Sequence, residues 1–226
     1  MPSSHFYQLN EIVELIILTK PSSILDIGIG FGKYGFLCRE YLDLIGGNRN
    51  LYKWEHRIDG IEIFPRYITP LQKKIYDNIY LGNALEILPK MVRRYDLILL
   101  IDVIEHFNFS DGQKLLHLCL RCGKNIIIST PRIDLPQTAV YGNSYETHRS
   151  FYRKCDFKKF PDKIFIFNFF SLIVYLGEQA SSIQKTLFKR RFLITWPMRL
   201  GFGKLVKKRV LKMTKRAINH GSEIDE

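Results

Sequence analysis

The chain has 226 residues, four cysteines and a formal net charge of +12. Its hydrophobic fraction of 46% and charged fraction of 25% are ordinary for a globular protein, and the length allows one domain with a full core. Four cysteines do not make a disulfide framework in a chain of this length, and Cys119 and Cys122 lack the second pair of a zinc site. The longest apolar runs are too short to span a membrane.

The first elements form a strand, turn and helix. Residues 1–21 are predicted to form an N-terminal helix. An apolar run at residues 24–27 then ends in a glycine cluster, after which a helix-like pattern begins. Such a turn exposes backbone N–H groups and the positive end of a helix dipole, so it suits a ligand that carries a carboxylate or phosphate.

The glycine spacing excludes two phosphate-binding templates. A P-loop would need a glycine in place of Ile27 and a hydroxyl in place of Tyr34. The dinucleotide fingerprint fits Gly28 and Gly30 but meets Lys33 where its third glycine should be. The pattern that remains is an acidic residue followed by three alternate glycines, Asp26, Gly28, Gly30 and Gly32.

This pattern resembles motif I of the class I S-adenosylmethionine (SAM)-dependent methyltransferases. SAM has no phosphate, but its amino-acid end carries a carboxylate and an ammonium. Glycine backbone can approach that end closely, and the Asp26 carboxylate can pair with the ammonium. A turn without a ligand is the alternative for this motif taken alone.

The second and third strands add two candidate contacts to SAM. Residues 59–63 predict a strand with Glu62 near its carboxyl end, where the resemblance implies an acid that accepts both ribose hydroxyls. A solvated strand end is the alternative. The long separation from Gly28 indicates an inserted loop at residues 46–50. Asn83 and Ala84 follow the third strand at the place where the family often has Asp-Ala beside adenine.

A near-continuous apolar run at residues 95–101 predicts a fourth strand buried on both faces. The D-x-x-E-H pattern that follows it, residues 102–106, resembles the motif after strand 4 in ubiquinone-biosynthesis-like O-methyltransferases. Polar groups at the carboxyl end of a central strand lie at the mouth of the ligand crevice. We therefore place Asp102 and Val103 among the cofactor contacts.

The remaining segments complete a doubly wound fold. Residues 110–112 are expected to cap a helix that runs to about Arg121. Further strands are predicted at residues 124–131, 164–169 and 172–176. The alternation predicts an α/β, Rossmann-like, seven-stranded and mostly parallel sheet with helices on both faces. The resemblance implies an antiparallel last strand and a SAM-binding methyltransferase domain over residues 22–177.

Residues 178–226 are predicted to form a basic amphipathic extension. Residues 185–226 hold twelve Lys and Arg against three Asp and Glu, and residues 204–218 have the pattern of an amphipathic helix. Such a helix could pack on its own domain, lie on an anionic membrane through residues 185–218, or follow a phosphate backbone. Nucleic acid is the weaker alternative, because few aromatic residues lie within the basic helix. Without a signal peptide the chain is expected in the cytoplasm, or on the inner face of the membrane if this helix docks there.

The expected reaction is methyl transfer from SAM, which leaves S-adenosylhomocysteine (SAH). His106 is the first candidate base, since an unperturbed histidine titrates near neutral pH. His148, from a polar loop at residues 143–150, is the second. No metal site is expected, because Glu105, His106 and His148 are scattered along the chain.

Three functions remain open. The first is O-methylation of a small-molecule, lipid or glycan-type acceptor. The second is methylation of RNA or protein held by the basic C-terminus. The third is a non-catalytic α/β module that binds a nucleoside or a partner. The motifs locate the donor and leave the acceptor and the oligomeric state open.

Overall fold

The computed structural model describes residues 4–45, 53–140 and 142–199, with side chains described up to residue 190. The loop predicted at residues 46–50 and the basic helix predicted at residues 204–218 lie outside these residues. The described part contains one seven-stranded sheet with helices packed around it.

The sheet has the predicted topology. Its strands are β1 (Ser23–Ile27), β2 (Arg57–Glu62), β3 (Asn78–Leu81), β4 (Tyr95–Ile101), β5 (Gly123–Pro131), β6 (Lys163–Ile166) and β7 (Ser171–Gly177). They are arranged in the order β3-β2-β1-β4-β5-β7-β6. β1 to β5 pair in parallel, and β7 runs antiparallel to both of its neighbours. This confirms the mostly parallel sheet with an antiparallel last strand.

The helices lie on both faces of the sheet. They are α1 (Leu9–Thr19), α2 (Lys33–Cys38), α3 (Pro70–Ile75), α4 (Ala84–Ile87), α5 (Phe109–Cys122) and α6 (Ala180–Arg199). A π-helix over Arg39–Leu44 continues α2. α5 begins at Phe109 with Asn108 as its N-cap residue. The helix therefore starts before the predicted cap at residues 110–112, which lie in its first turn.

The central position of β4 follows from where its apolar residues lie. β4 alternates between the two cores, with Ile98 and Leu100 packed toward α5 and Leu97 and Leu99 packed toward α1. All four side chains are fully buried. Continuous apolar runs such as this one are stable only between two helical layers, so they occupy the centre of a doubly wound sheet.

The basic extension begins on α6, which the sequence did not predict as a helix across residues 180–199. α6 packs near β6 and β7, and Arg190 pairs with Glu14 of α1 at 3.0 Å. No helix among the described residues combines the length and apolar character needed to cross a membrane. The four cysteines are all free; Cys38, Cys119 and Cys122 are buried, whereas Cys155 is exposed.

Candidate active site

A cavity of about 810 Å³ opens at the carboxyl ends of the central strands. This is the edge at which the order of parallel strands reverses, and where ligands bind in open α/β sheets. The predicted residues that line it are Asp26, Gly28, Gly30, Glu62, Asn83, Ala84, Asp102, Val103, His106 and His148. Gly32 is the one predicted site residue that does not line the cavity.

The glycine loop needs glycine for two separate reasons. Gly28 has a φ of +76°, and a Cβ built on it would lie 2.5 Å from Cγ2 of Val103. Gly28 therefore allows the loop after β1 to lie against the turn after β4. Gly32 has a φ of +87° as the N-cap residue of α2, and its N–H donates to the Ile29 carbonyl at 2.7 Å. The role of Gly32 is to form the turn, away from the cavity.

Glu62 is only 4% exposed at the end of β2. Its carboxylate accepts the backbone N–H groups of Gly30 and Phe64, each at 2.9 Å. Burial raises the pKa of this carboxyl, while the two backbone donors lower it. Each oxygen keeps a lone pair, so the group can still accept hydroxyl donors from a ligand in the cavity.

Asp26 lies at the end of β1, buried beneath the glycine loop. The Tyr76 hydroxyl donates to its carboxyl at 2.6 Å. Burial raises the pKa of Asp26 to about 7; the Tyr76 hydrogen bond opposes the shift and the nearby Glu62 adds to it. A cationic group in this part of the cavity would favour the ionised carboxyl.

Asn83 has a structural role in the turn after β3. Its side-chain oxygen accepts the Leu85 N–H at 3.0 Å and so caps α4. The cap explains why an amide replaces the aspartate of the family resembled, since both residue types are good N-caps. The Asn83 amide group and Ala84 also line the cavity.

Asp102 is held from two directions. It has a φ of +51°, and its carboxyl accepts Nε2 of Gln8 and Oγ of Ser129, each at 2.6 Å. Burial raises its pKa. The Gln8 contact joins the N-terminal segment to the carboxyl end of β4, ninety-four residues away.

The N-terminal segment forms one wall of the cavity, which the sequence analysis did not foresee. Ser4, His5 and Tyr7 line it, and the Lys33 ammonium donates to the Ser4 carbonyl. The Tyr7 ring stacks on Phe170 with centroids 3.9 Å apart. Residues 4–8 have no motif or spacing that would reveal this contact, because their partners are distant in the sequence.

His106 and His148 come together as their loops cross, with ring centroids 5.0 Å apart. Nδ1 of His106 lies 3.3 Å from the Thr147 carbonyl, and Nδ1 of His148 lies 2.6 Å from the Leu135 carbonyl. Since a carbonyl only accepts hydrogen bonds, Nδ1 carries a proton in both rings, and Nε2 has the free lone pair in the neutral form of each ring.

Burial lowers the pKa of His106 to about 4. The sequence interpretation used the ordinary histidine value, which would place its titration near neutral pH. In the folded chain His106 is neutral at pH 7 and is a weak base there. Its lone pair is therefore better suited to binding an acceptor or a cation than to holding a proton.

Glu105, between these groups, is only 2% exposed. Neither oxygen of its carboxyl has a hydrogen-bond partner among the described residues. The backbone N–H of Glu105 itself and the Thr130 hydroxyl interact with the carboxyl without reaching hydrogen-bond geometry. Burial raises the pKa of Glu105 well above its usual range. The sequence predicts no metal site from Glu105 and the two histidines, because they are scattered along it. The structure, however, brings one possible ligand atom of each residue within 4.8 Å of the others.

The described residues of the loop between positions 131 and 150 cover this end of the cavity. Tyr67, from the turn after β2, donates to Glu146 at 3.2 Å and accepts from the Asn143 amide at 3.1 Å. Exposed apolar side chains surround the opening: Ile133, Leu135, Tyr145, Phe169 and Phe170. This opening is suited to an acceptor with an apolar portion.

Several solved structures match this fold. A Staphylococcus aureus protein assigned as a caffeoyl-CoA O-methyltransferase superposes with a TM-score of 0.53 at 16% identity, over 78% of this chain and 86% of that one. PigF, solved with SAH, has a TM-score of 0.53 at 12% identity, over 74% of this chain and 53% of PigF. The match thus spans about half of PigF.

The methyltransferase domain of bacterial CtHen1 has a TM-score of 0.50 at 15% identity, over 76% of this chain and 98% of that domain. No protein-family model and no curated protein matches the sequence. At these identities the structural likeness shows the fold alone. It confirms the fold class expected from the sequence.

Proposed function

We propose that this chain, which has the class I methyltransferase fold, binds SAM and transfers its methyl group to an oxygen of a small-molecule, lipid or glycan-type acceptor. The observation that carries the proposal is the joining of Glu62 to the glycine loop through the Gly30 N–H at 2.9 Å. This contact joins a buried carboxylate to the glycine loop in the lining of one cavity, and so supports a SAM site in which Glu62 would accept the ribose hydroxyls and the loop would bind the carboxylate.

The donor end of the cavity matches the parts of SAM in charge and hydrogen bonding. The glycine loop and the amino end of α2 suit the SAM carboxylate. Asp26 suits its ammonium, and Glu62 suits its two ribose hydroxyls. Asn83 and Ala84 lie on the same cavity wall, where adenine would bind.

The transfer itself needs alignment more than chemical activation. The acceptor oxygen attacks the methyl carbon, the carbon–sulfur bond breaks with its electron pair on sulfur, and neutral SAH leaves. The acceptor hydroxyl loses its proton to solvent or to a neighbouring base. Holding the two reactants in line can contribute roughly 7–11 kcal/mol of the barrier reduction.

The size and lining of the cavity favour a compact acceptor. Its volume of about 810 Å³ is within the range of about 300–1,000 Å³ that is usual for small-molecule sites. SAM would take the wall formed by the glycine loop and Glu62. The part left beside His106 and His148 has an apolar rim, which suits a lipid or an aromatic molecule better than a folded polymer.

The basic extension supports a second part of the proposal, a peripheral contact with anionic membrane through residues 185–218. Phe188 is 70% exposed on α6, near the start of the region that holds most of the positive charge. Exposed aromatic and basic side chains together favour the headgroup region of a bilayer. Co-sedimentation of the full chain with anionic and with neutral vesicles tests this contact. Equal sedimentation with both, or with neither, would contradict it.

Calorimetry of the full chain with SAM and SAH tests the central proposal. We expect saturable 1:1 binding, and a folded protein that binds neither ligand would overturn it. The acceptor class is tested by incubating the protein with methyl-labelled SAM and a cell extract. Label should enter the solvent-extractable fraction. Label confined to RNA or to protein, and removed by RNase or protease, would contradict the small-acceptor proposal.

A further inference from the structure

We propose that Glu105, His106 and His148 form a binding site for one divalent transition-metal ion in the cavity wall. One donor atom from each residue lies within 4.8 Å of the other two. Two ligands of one ion lie at most about 4.6 Å apart when each metal–ligand distance is about 2.0–2.3 Å. Small rotations of these side chains would therefore bring the three atoms around a common centre. All three residues line the cavity.

The Glu105 carboxyl is the strongest indication. It is 2% exposed and both of its oxygens are without a hydrogen-bond partner in the described part of the chain. A buried polar group normally has its partners, because leaving it unpaired is costly. A cation between Glu105 and the two histidines would supply the missing partner.

In both histidines Nδ1 is occupied by a backbone carbonyl, which leaves Nε2 as the nitrogen that could bind a metal. The carbonyls of Thr147 and Leu135 accept the Nδ1 protons of His106 and His148. The Nε2 atom of each ring keeps its lone pair in the neutral form. Metal-binding histidines are commonly oriented in this way, with the second ring nitrogen donating to a carbonyl or carboxylate.

The backbone holds the three ligands in place before any ion binds. The Glu105 carbonyl accepts the N–H groups of Arg149 and Ser150 at 2.7 and 3.1 Å. The His148 N–H donates to the Gln137 carbonyl at 3.0 Å. These bonds fix the loop carrying His148 against the turn after β4. Binding of an ion would therefore cost little conformational entropy in this loop.

The donor set indicates the type of ion. Two imidazole nitrogens with one carboxylate oxygen suit ions of the Mn²⁺ to Zn²⁺ series, whereas Mg²⁺ and Ca²⁺ prefer oxygen ligands alone. Three protein ligands also leave coordination positions open toward the cavity, as in catalytic rather than structural sites. If the proposed methyl transfer is right, the open coordination positions would receive the acceptor oxygen. That assignment rests on the proposed function, whereas the metal site itself does not.

The test uses the full, tag-free chain stripped with chelator and titrated with Co²⁺ and with Mn²⁺. We expect one equivalent to bind, giving visible Co²⁺ absorption bands and loss of the free Mn²⁺ electron paramagnetic resonance signal. Glu105→Gln and His148→Ala should each weaken binding at least tenfold. His148 lies in a half-buried loop, so His148→Ala keeps the test valid even if a substitution at Glu105 impairs folding.

Two controls define the result. His117→Ala removes an exposed histidine of α5 that does not line the cavity, and it should bind metal as the parent does. Cys155→Ser removes the exposed thiol that could bind Co²⁺ elsewhere. Absence of stoichiometric binding by the parent at millimolar metal, or unchanged binding by both site variants, would overturn the proposal. SAM calorimetry on the same samples distinguishes a failure of the metal site from a failure of the proposed function. Glu105→Gln and His148→Ala should bind SAM with the affinity of the parent, whether or not they bind metal.

Discussion

The carboxylate of Glu62 accepts the backbone N–H of Gly30 over 2.9 Å, which ties the end of β2 to the glycine loop that follows β1. Gln72 supports the same loop from α3, since its side-chain amide donates to the Gly30 carbonyl at 3.0 Å. Both backbone polar groups of Gly30, the N–H and the carbonyl, are therefore hydrogen-bonded to side chains, which holds the loop in place. Glu62 serves both the fold of the loop and the ligand proposed to bind beside it.

Glu62→Gln should weaken SAM binding about ten- to hundredfold. The amide keeps the size of the side chain but loses the charge and one of the two acceptor oxygens, and hydrogen bonds to charged groups contribute about 1.5–3 kcal/mol. Calorimetry with SAM measures the loss. Glu86→Gln, at an exposed position on α4 outside the cavity, is the matched control. Equal affinities for the two variants would contradict the role assigned to Glu62.

Gly28→Ala and Gly142→Ala form a pair that separates backbone strain from collision. Both glycines have a positive φ, +76° and +70°. Among the described residues, a Cβ on Gly142 would meet no atom within 4 Å, whereas one on Gly28 would lie 2.5 Å from the Val103 side chain. Both variants should lose about 1–2 kcal/mol from the left-handed conformation, and Gly28→Ala a further 1–3 kcal/mol or so from overpacking.

Chemical denaturation measures these losses, and SAM calorimetry provides a second readout. Gly28→Ala should also lower SAM affinity, since relief of the collision moves the loop away from the turn after β4. Gly142→Ala should keep SAM affinity nearly unchanged. Equal losses of stability in the two variants would show that Val103 does not constrain the loop.

Asp26 should make the stability of the protein decrease with rising pH. Its pKa is about 7 in the folded chain, against an ordinary value of 3.8. Between these two values the folded state holds a proton that the unfolded state has released, so the free energy of unfolding falls as pH rises from about 4 to 7. The full effect is at most about 4 kcal/mol for a shift of about three units.

Asp26→Asn removes this titration while its side-chain oxygen can still accept the Tyr76 hydroxyl. Urea denaturation between pH 4 and pH 8 should therefore show the variant gaining stability relative to the parent as pH rises. The gain should level off above pH 7. Parallel curves for the two proteins over this range would mean that Asp26 titrates normally in the folded state.

Gln8→Ala should lower the free energy of unfolding by about 1–3 kcal/mol. The substitution leaves one oxygen of the buried Asp102 carboxyl without its 2.6 Å donor, and an unpaired buried acceptor has about that cost. Thermal and chemical denaturation measure the loss. Gln184→Ala, at an exposed position on α6, should stay within about 0.5 kcal/mol of the parent. A Gln8→Ala variant as stable as this control would show that the Gln8 hydrogen bond to Asp102 contributes nothing to stability.

Local patterns predicted much of the donor side. The spacing of Asp26, Gly28 and Gly30, and the acid at the end of β2, depend on contacts within one strand–turn–helix unit and its neighbour. Parallel strands bring their carboxyl ends to one edge, so residues that end successive strands must meet there. For the same reason Asp102 could be assigned to the cavity before its partners were known, whereas Asn83 was assigned from the family resemblance.

The acceptor side could not be predicted in this way. Gln8 reaches Asp102 across ninety-four residues, and His148 reaches His106 only because the loop after β5 folds back over the turn after β4. The pKa of His106 is about 4 because of burial, a property of the packed state that no residue type encodes. Glu105 likewise looks like an ordinary charged residue until its surroundings are known.

The amino-acid sequence alone determined the doubly wound sheet and the glycine loop, because hydrophobic periodicity and turn chemistry are local properties of the chain. The antiparallel last strand was implied by the family resemblance. Only the tertiary structure decided that the N-terminal segment forms one wall of the cavity and that His106 is neutral. It also decided that Glu105, beside two histidines, has no hydrogen-bond partner among the described residues. Those features come from the packing of distant loops, where desolvation and the supply of hydrogen-bond partners are set by the whole fold.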